Sequence, residues 1–126
     1  MDKQSIKSII LEKQAAVQNY RLTHRDFVFG RKSNYVLVGL RRAGKSCLLY
    51  QDIQDRIKAG EISAQDVLYV NFEDERLASV SSEELGVILD AYMELYPVRQ
   101  PLVYLDEIQN VEGWEKFARR LADSQY

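Results

Sequence analysis

Residues 39–46 read GLRRAGKS and fit the spacing G-x-x-x-x-G-K-[ST] of a phosphate-binding loop. Gly39 and Gly44 allow the backbone to turn tightly, without Cβ atoms, so that its N–H groups point at a phosphate. Lys45 can reach the β- and γ-phosphates, and Ser46 can offer its hydroxyl to Mg²⁺. A helix that starts here also directs its positive dipole end at the anion. The segment therefore predicts a phosphate-binding site that also holds a magnesium ion.

The residues on either side of this loop favour the same interpretation. Residues 35–38 form a short apolar, β-branched run, typical of a buried parallel strand. After the loop, Leu49, Ile53 and Ile57 recur on one helical face, and Gly60 stands where that helix would end. A strand before the loop and a helix after it are the context that phosphate binding requires. The alternative is a glycine-rich turn whose lysine is merely solvated.

A second group of chemically competent residues lies at 102–107, which read LVYLDE. Four apolar or aromatic residues indicate a buried strand, and two carboxylates follow at its carboxyl end, where parallel α/β sheets bind their ligands. Asp106 is expected to hold Mg²⁺ directly or through water, as a Walker B residue does. Glu107 is expected to orient or deprotonate an attacking water. Two acids after an apolar strand are common at turns, but their place downstream of a phosphate loop favours the functional role.

The rest of the hydrophobic pattern alternates between helices and strands. The first helix is indicated by residues at helical spacing, namely Ile6, Ile9, Ile10, Lys13 and Val17. Ser81 and Glu84 fit a capping box at the start of another helix. The predicted elements are helix 4–19, strand 35–39, helix 45–59, strand 67–72, helix 82–95, strand 102–106 and helix 113–123. This alternation predicts an α/β fold with a mostly parallel sheet and helices on both faces.

Composition limits the classes of protein to consider. The chain has 126 residues, 46% hydrophobic and 29% charged, which suits one soluble globular domain. Neither a signal peptide nor an apolar run of about twenty residues is recognisable, so no membrane span is expected. The single cysteine, Cys47, fits a reducing cytoplasm. His24 is the only histidine, which excludes a metal cluster built on several histidines.

Charge is distributed unevenly along the chain. The net charge is −2, yet residues 21–45 carry +6 and residues 46–126 carry −9. The basic stretch could attract nucleic acid, or it could balance the charge of a bound triphosphate. Arg41 and Arg42 could touch phosphate or a neighbouring subunit, or be solvated loop charges. Balance of the triphosphate charge is the favoured interpretation of the basic stretch, because no basic motif interleaved with aromatic residues accompanies it, whereas the alternatives for the two arginines stay open.

Three segments together resemble a known family: GLRRAGKS, VLYVNFED at 67–74, and LVYLDEIQNVEGWEKFARRLAD at 102–123. They look like the bacterial and archaeal AAA-type ATPases that have a Gly-x-Arg-Arg-x-Gly-Lys-Ser/Thr loop and an Asp-Glu-Ile-Gln Walker B segment. The resemblance implies the three-layer α/β/α sheet of P-loop NTPases, binding of ATP and Mg²⁺, ATP hydrolysis by Glu107, and oligomer formation. It places metal contacts at Ser46 and Asp106. The residues expected to contact the nucleotide along this loop are Gly39, Arg42, Ala43, Gly44, Lys45, Ser46 and Cys47.

The resemblance also carries expectations about organisation. Residues 1–33 would form an amphipathic helix and a connecting loop, and 34–126 the N-terminal part of an AAA-type ATPase domain. In the family, a further strand with a polar sensor residue, γ-phosphate arginines and a C-terminal domain follow, so the chain is expected to be an N-terminal piece with an incomplete sheet. Residues 71–74 are expected to be strand-end structure. The alternative function is a nucleotide-gated binding module whose partner, protein or DNA, is open.

Overall fold

The computed structural model of the chain describes residues 2–19, 45–77, 80–97, 99 and 101–123. The predicted strand 35–39, the loop 21–33 and the phosphate loop up to Gly44 lie outside the described residues. Among the described residues, no helix is long and apolar enough to cross a membrane. The helices are α1 (Lys3–Asn19), α2 (Lys45–Lys58), α3 (Leu85–Leu95) and α4 (Trp114–Asp123), and the strands are β1 (Val67–Asn71) and β2 (Leu102–Asp106).

The two strands pair in parallel, as their alternation with helices predicts. Their register runs from Val67 opposite Leu102 to Asn71 opposite Asp106. One more backbone bond extends the ladder, because the Phe72 N–H donates to the Asp106 carbonyl at 2.9 Å. Both strands therefore end level with each other, and the polar residues that end them lie at one edge of the sheet.

Helices pack on both faces of this two-stranded sheet. Side chains alternate between the faces of a strand, so Tyr69 and Tyr104 point to the same side. On that side they pack with residues of α2, among them Ile53, Leu49 and Ile57. On the other side, the core joins the strands to α1, α3 and α4 through residues that include Ile6, Ile9, Leu68, Val70, Ile88 and Phe117. The α/β class of fold is thus confirmed, while the sheet beyond these two strands stays a prediction.

Helix α1 covers the outer edge of β1. The Gln14 side-chain amide donates to the Val67 carbonyl at 2.9 Å, and the Tyr96 hydroxyl donates to the Gln14 side-chain oxygen at 3.1 Å. The backbone N–H and C=O groups of successive residues point to alternate sides of a strand. Because the Phe72 N–H points towards β2, the Val67 carbonyl, five residues earlier, points away from β2. An edge carbonyl is thereby satisfied by a side chain. The predicted stripe on α1 named Lys13, but the structure buries Gln14, whose amide has this partner.

The signals for helix ends agree with the structure. Ser81 and Glu84 form the predicted capping box, although residues 82–84 adopt a 3₁₀ turn and the α-helix begins only at Leu85. At the end of α2, the Gly60 N–H bonds the Ile57 carbonyl, with the Glu61 N–H bonding that of Arg56, each at 3.0 Å. This is a Schellman motif with glycine in the left-handed region, at φ +75°.

The end of α2 gives a test of the backbone geometry. Gly60→Ala should lower the free energy of unfolding by about 1 kcal/mol, because a Cβ disfavours the left-handed conformation. Gly86→Ala is the matched control, since Gly86 lies in α3 with open space around it, and the exchange should raise stability by about 0.5–1 kcal/mol. Urea denaturation of the two variants measures both signs. Equal effects at the two positions would contradict the assigned helix end.

Candidate nucleotide-binding edge

Two acidic residues mark the carboxyl edge of the sheet. Asp106 ends β2 and is 1% exposed, and Glu107 follows it at 6%. Two adjacent carboxylates are costly to bury unless donors or cations compensate them. The structure supplies a side-chain donor to each, from Tyr69 and from Gln109.

The donor to Asp106 comes from the neighbouring strand. The Tyr69 hydroxyl donates to Oδ2 of Asp106, and the tyrosine side chain is fully buried. Burial, and then the hydrogen bond to Asp106 and the negative charge of that residue, raise the pKa of Tyr69 far above its ordinary value. The phenol therefore keeps its proton and remains a donor. This contact depends on the register, which sets Tyr69 opposite Tyr104, two residues before the aspartate.

Glu107 has an unusual backbone. Its φ of +57° and ψ of +33° lie in the left-handed region, and among the described residues it is the only one other than glycine with positive φ. Its Oε2 accepts a bond from Nε2 of Gln109 at 2.6 Å, and its carbonyl accepts the Asn110 N–H at 3.2 Å. Strained conformations of this kind concentrate at functional sites. Here the turn directs the chain away from β2 immediately after the strand, with the glutamate side chain still buried.

Helix α2 runs towards this same edge. The rings of Tyr50 and Tyr69 lie 5.2 Å apart between centroids, which fixes the level of the helix against the sheet. From Tyr50 back to Lys45 the helix rises about 7.5 Å. From Tyr69 to Asn71 the strand rises about 6.6 Å. The chain leaves α2 and enters β1 at the opposite edge, so the start of α2 lies level with the ends of the strands.

A third buried carboxylate supports the contact between α2 and β2. Asp52 accepts a bond from Nε of Arg56 at 2.9 Å and one from the Tyr104 hydroxyl at 2.5 Å, both at Oδ2. All three residues are buried. Because Asp52 and Arg56 are four residues apart on one helix, their pairing is local, and the tyrosine links it to the sheet. This group stabilises the packing beneath the edge.

Residues 71–74, which end β1 and lead into the next turn, make structural hydrogen bonds, as the sequence predicts. The Asn71 side-chain oxygen accepts the Glu73 N–H at 2.9 Å, and its carbonyl accepts the Asp74 N–H at 3.1 Å. Asp74 in turn holds Arg76, which reaches Glu12 of α1 at 2.6 Å. These bonds close the turn and connect it to α1.

The donor set suits magnesium. Among the described residues, no group of three or more His, Cys, Asp or Glu side chains could hold a metal ion. Mg²⁺ is usually bound by one or two carboxylates together with phosphates and water, and does not require a cage made of protein alone. A single buried aspartate at the end of β2, level with the first residues of α2, agrees with that mode of binding.

The predicted site residues fall into three groups. Gly39, Arg42, Ala43 and Gly44 lie outside the described residues. For positions 45–47 the structure describes the helical backbone alone, at the start of α2. Asp106 and Glu107 are brought together at the carboxyl edge.

Sequence reasoning missed the two donors, Tyr69 and Gln109. One signal was available for the tyrosine: both strands carry a tyrosine two residues before their polar end, in Tyr-Val-Asn and Tyr-Leu-Asp. Parallel pairing in register aligns the two tripeptides side by side. For Gln109 the spacing carried no signal, because its reach depends on the left-handed turn at Glu107.

Comparison with known proteins now identifies the family. The sequence profile of the AAA domain matches residues 31–126, and the chain belongs to this family. AAA domains are nucleotide-binding, ATPase-like modules. The chain is 33% identical over 120 residues to the uncharacterized protein MJ1544 of Methanocaldococcus jannaschii, covering 94% of the chain and 25% of that protein. It is 36% identical over 88 residues to an uncharacterized protein of Haemophilus influenzae, covering 68% of the chain and 21% of that protein.

The matches cover only a part of each relative. The chain spans about a quarter of the length of the curated relatives it matches. No solved structure gave a significant match. The similarity therefore assigns the domain to a nucleotide-binding class. It carries no information about the substrates or partners of the longer relatives.

The backbone at Glu107 can be tested by two substitutions that both remove the carboxylate. Glu107→Gly should be more stable than Glu107→Ala by about 1 kcal/mol, because glycine adopts φ +57° without the cost of a Cβ. The same comparison at Ala16, an exposed position within α1, should reverse the sign, since glycine destabilises a helix interior by about 0.5–1 kcal/mol. Thermal and urea denaturation measure both. Glycine less stable than alanine at 107 would contradict the left-handed turn.

Proposed function

We propose that the chain is the magnesium-dependent ATP-binding part of an AAA-type ATPase and that its carboxyl edge carries out ATP hydrolysis. One geometric relation carries the proposal: the contact of Tyr50 with Tyr69 and the direction of α2 put the start of this helix level with the buried pair Asp106 and Glu107. The phosphate-loop sequence leads directly into this helix. Membership of the AAA family supports nucleotide binding.

Binding of the triphosphate is assigned to the loop and the first turn of α2. Backbone N–H groups from Gly39 to Cys47 would bind the phosphates, and Lys45 would neutralise charge on the β- and γ-phosphates. Arg42, Ala43, Gly44 and Cys47 belong to the same binding segment. Ser46 and Asp106 would hold Mg²⁺, which neutralises charge on the phosphate oxygens when it is bound.

Hydrolysis is assigned to Glu107. Its carboxylate accepts a proton from a water molecule as the water oxygen attacks the γ-phosphorus. The bond from that phosphorus to the β–γ bridging oxygen breaks, so that ADP and inorganic phosphate are formed. The buried position of Glu107 agrees with this role, because a base in a site with little water keeps its orientation. In the structure, the Gln109 side-chain amide donates a hydrogen bond to Oε2 of Glu107.

We also propose how the chain is organised. Strand 35–39 joins β1 and β2 in a three-layer α/β/α sheet, and the domain covers 34–126 after an N-terminal helix and loop. The protein assembles into a homo-oligomer. The basic charge of residues 21–45 supports balance of the triphosphate charge.

Nucleotide binding is tested by titrating the chain with ATP in the presence and absence of Mg²⁺ in a calorimeter. Binding should be seen with magnesium and should weaken when Lys45 is replaced by alanine, because the phosphates lose their cation. Lys58→Ala, at the exposed end of the same helix, should leave the affinity unchanged. Absence of binding to the parent chain at millimolar ATP would overturn the proposal.

Hydrolysis is tested separately by single-turnover release of γ-phosphate. Glu107→Gln should retain ATP binding and lower the hydrolysis rate by a factor of about 10² to 10⁴, the usual contribution of a general base. Glu112→Gln makes the same chemical change at an exposed position five residues later and should be neutral. Equal rates in Glu107→Gln and the parent chain would remove Glu107 from the reaction and leave the binding assignment intact.

A further inference from the structure

The structure holds Asp106 through a side chain that no phosphate-loop or Walker motif contains. The Tyr69 hydroxyl donates to Oδ2 of Asp106 from the adjacent strand, and both side chains are at most 1% exposed. Because the donor sits on a paired strand and is enclosed by α2, it has little freedom to move away.

The contact also connects the two halves of the candidate site. Tyr50 lies one and a half turns after Lys45 on α2, and its ring packs on that of Tyr69 with centroids 5.2 Å apart. Two aromatic side chains therefore connect α2 to the acidic end of β2: Tyr50 contacts Tyr69, and Tyr69 contacts Asp106. A carboxylate has about four acceptor positions on its two oxygens, so it can accept the tyrosine hydroxyl and a metal-bound water together.

We propose that Tyr69 is a positioning residue for Mg²⁺, whose hydroxyl sets the orientation of the Asp106 carboxylate towards the ion. This inference rests on the proposed function of the edge and adds a residue to it. Residues that bond a metal ligand from behind fix its orientation, and their loss commonly weakens metal affinity or activity by 10–100-fold, as a rough range. The expected signature is a change in the magnesium dependence of nucleotide binding, separate from affinity for the nucleotide itself.

The chain offers a matched control in Tyr104. It stands opposite Tyr69 in the register, is also buried, and also donates its hydroxyl to a buried carboxylate, that of Asp52. Asp52 is paired with Arg56 and lies on α2, six residues beyond Ser46. Tyr104→Phe thus removes an equivalent hydrogen bond on the same face of the sheet while leaving the Asp106 contact in place.

The experiment measures binding of a fluorescent ATP analogue to the parent chain and to each variant, first in EDTA and then across a magnesium titration. Tyr69→Phe should raise the Mg²⁺ concentration at half-effect by about 10-fold or more, with the affinity in EDTA unchanged. Tyr104→Phe should leave the magnesium dependence as in the parent. In an Asp106→Asn background, Tyr69→Phe should have no further effect on magnesium dependence, because the tyrosine acts through the carboxylate.

The outcomes distinguish a failure of the proposed function from a failure of the role of Tyr69. No magnesium-dependent binding by the parent chain would overturn the proposed function, and this inference with it. Magnesium-dependent binding that responds equally to Tyr69→Phe and Tyr104→Phe would overturn the inference alone. The inference would also fail if Tyr69→Phe shifted the magnesium dependence equally with and without the Asp106 carboxylate.

A second measurement covers the case in which Tyr69→Phe does not fold. Fluorotyrosine placed at position 69 alone retains both the ring and the hydroxyl, and its fluorine resonance reports the surroundings of the side chain. Adding Mg²⁺ to the nucleotide-loaded chain should shift this resonance, and it should not shift that of fluorotyrosine at position 104. No shift at 69, or an equal shift at both positions, would contradict the assignment.

Discussion

The hydrogen bond between Tyr69 and Asp106 is the interaction on which the geometry of this edge depends. A carboxylate that is 1% exposed has lost most of its contact with water and requires donors within the protein. The tyrosine can reach it only while β1 and β2 keep their register, with Asn71 opposite Asp106. A slip of one residue would turn Tyr69 to the other face of the sheet, towards α1 and α3. Strand pairing and the satisfaction of the buried charge therefore support each other.

The helices hold that register from both sides. On one face, the bonds of Tyr104 and Arg56 to Asp52 attach α2 to β2. At the outer edge of β1, Gln14 occupies the Val67 carbonyl and α1 covers the strand. Two parallel strands of five residues each form few backbone hydrogen bonds with each other. The side-chain contacts to α1 and α2 therefore help to fix their register. The start of α2 and the end of β2 reach one edge because both belong to this packed unit.

The sequence predicted the elements better than the contacts between them. Periodicity and capping signals located four helices and two strands, and Gly60 marked the end of α2, because these features depend on nearby residues. The burial of Gln14 in place of Lys13 could not be predicted, since it depends on a strand more than fifty residues away.

The candidate site divides in the same way. Asp106 and Glu107 were recognisable because two carboxylates after an apolar strand form a local pattern. Tyr69 was hidden in a strand whose composition reads as core, and its role follows only from the register with β2. Gln109 reaches Glu107 because of a left-handed turn that no glycine announces. The prediction that Lys45 and Ser46 bind phosphate and magnesium rests on the loop sequence and on the direction of α2.

The central claim is that the carboxyl edge of the sheet, beside the start of α2, binds Mg·ATP. Backbone amide chemical shifts of the isotopically labelled chain, recorded during titration with Mg²⁺ and a non-hydrolysable ATP analogue, test this directly. We predict that the largest changes fall on the first turn of α2 and on Asp106 and Glu107, while residues 60–66 at the opposite edge stay unchanged. Changes concentrated at residues 60–66, or none at saturating ligand, would contradict the account.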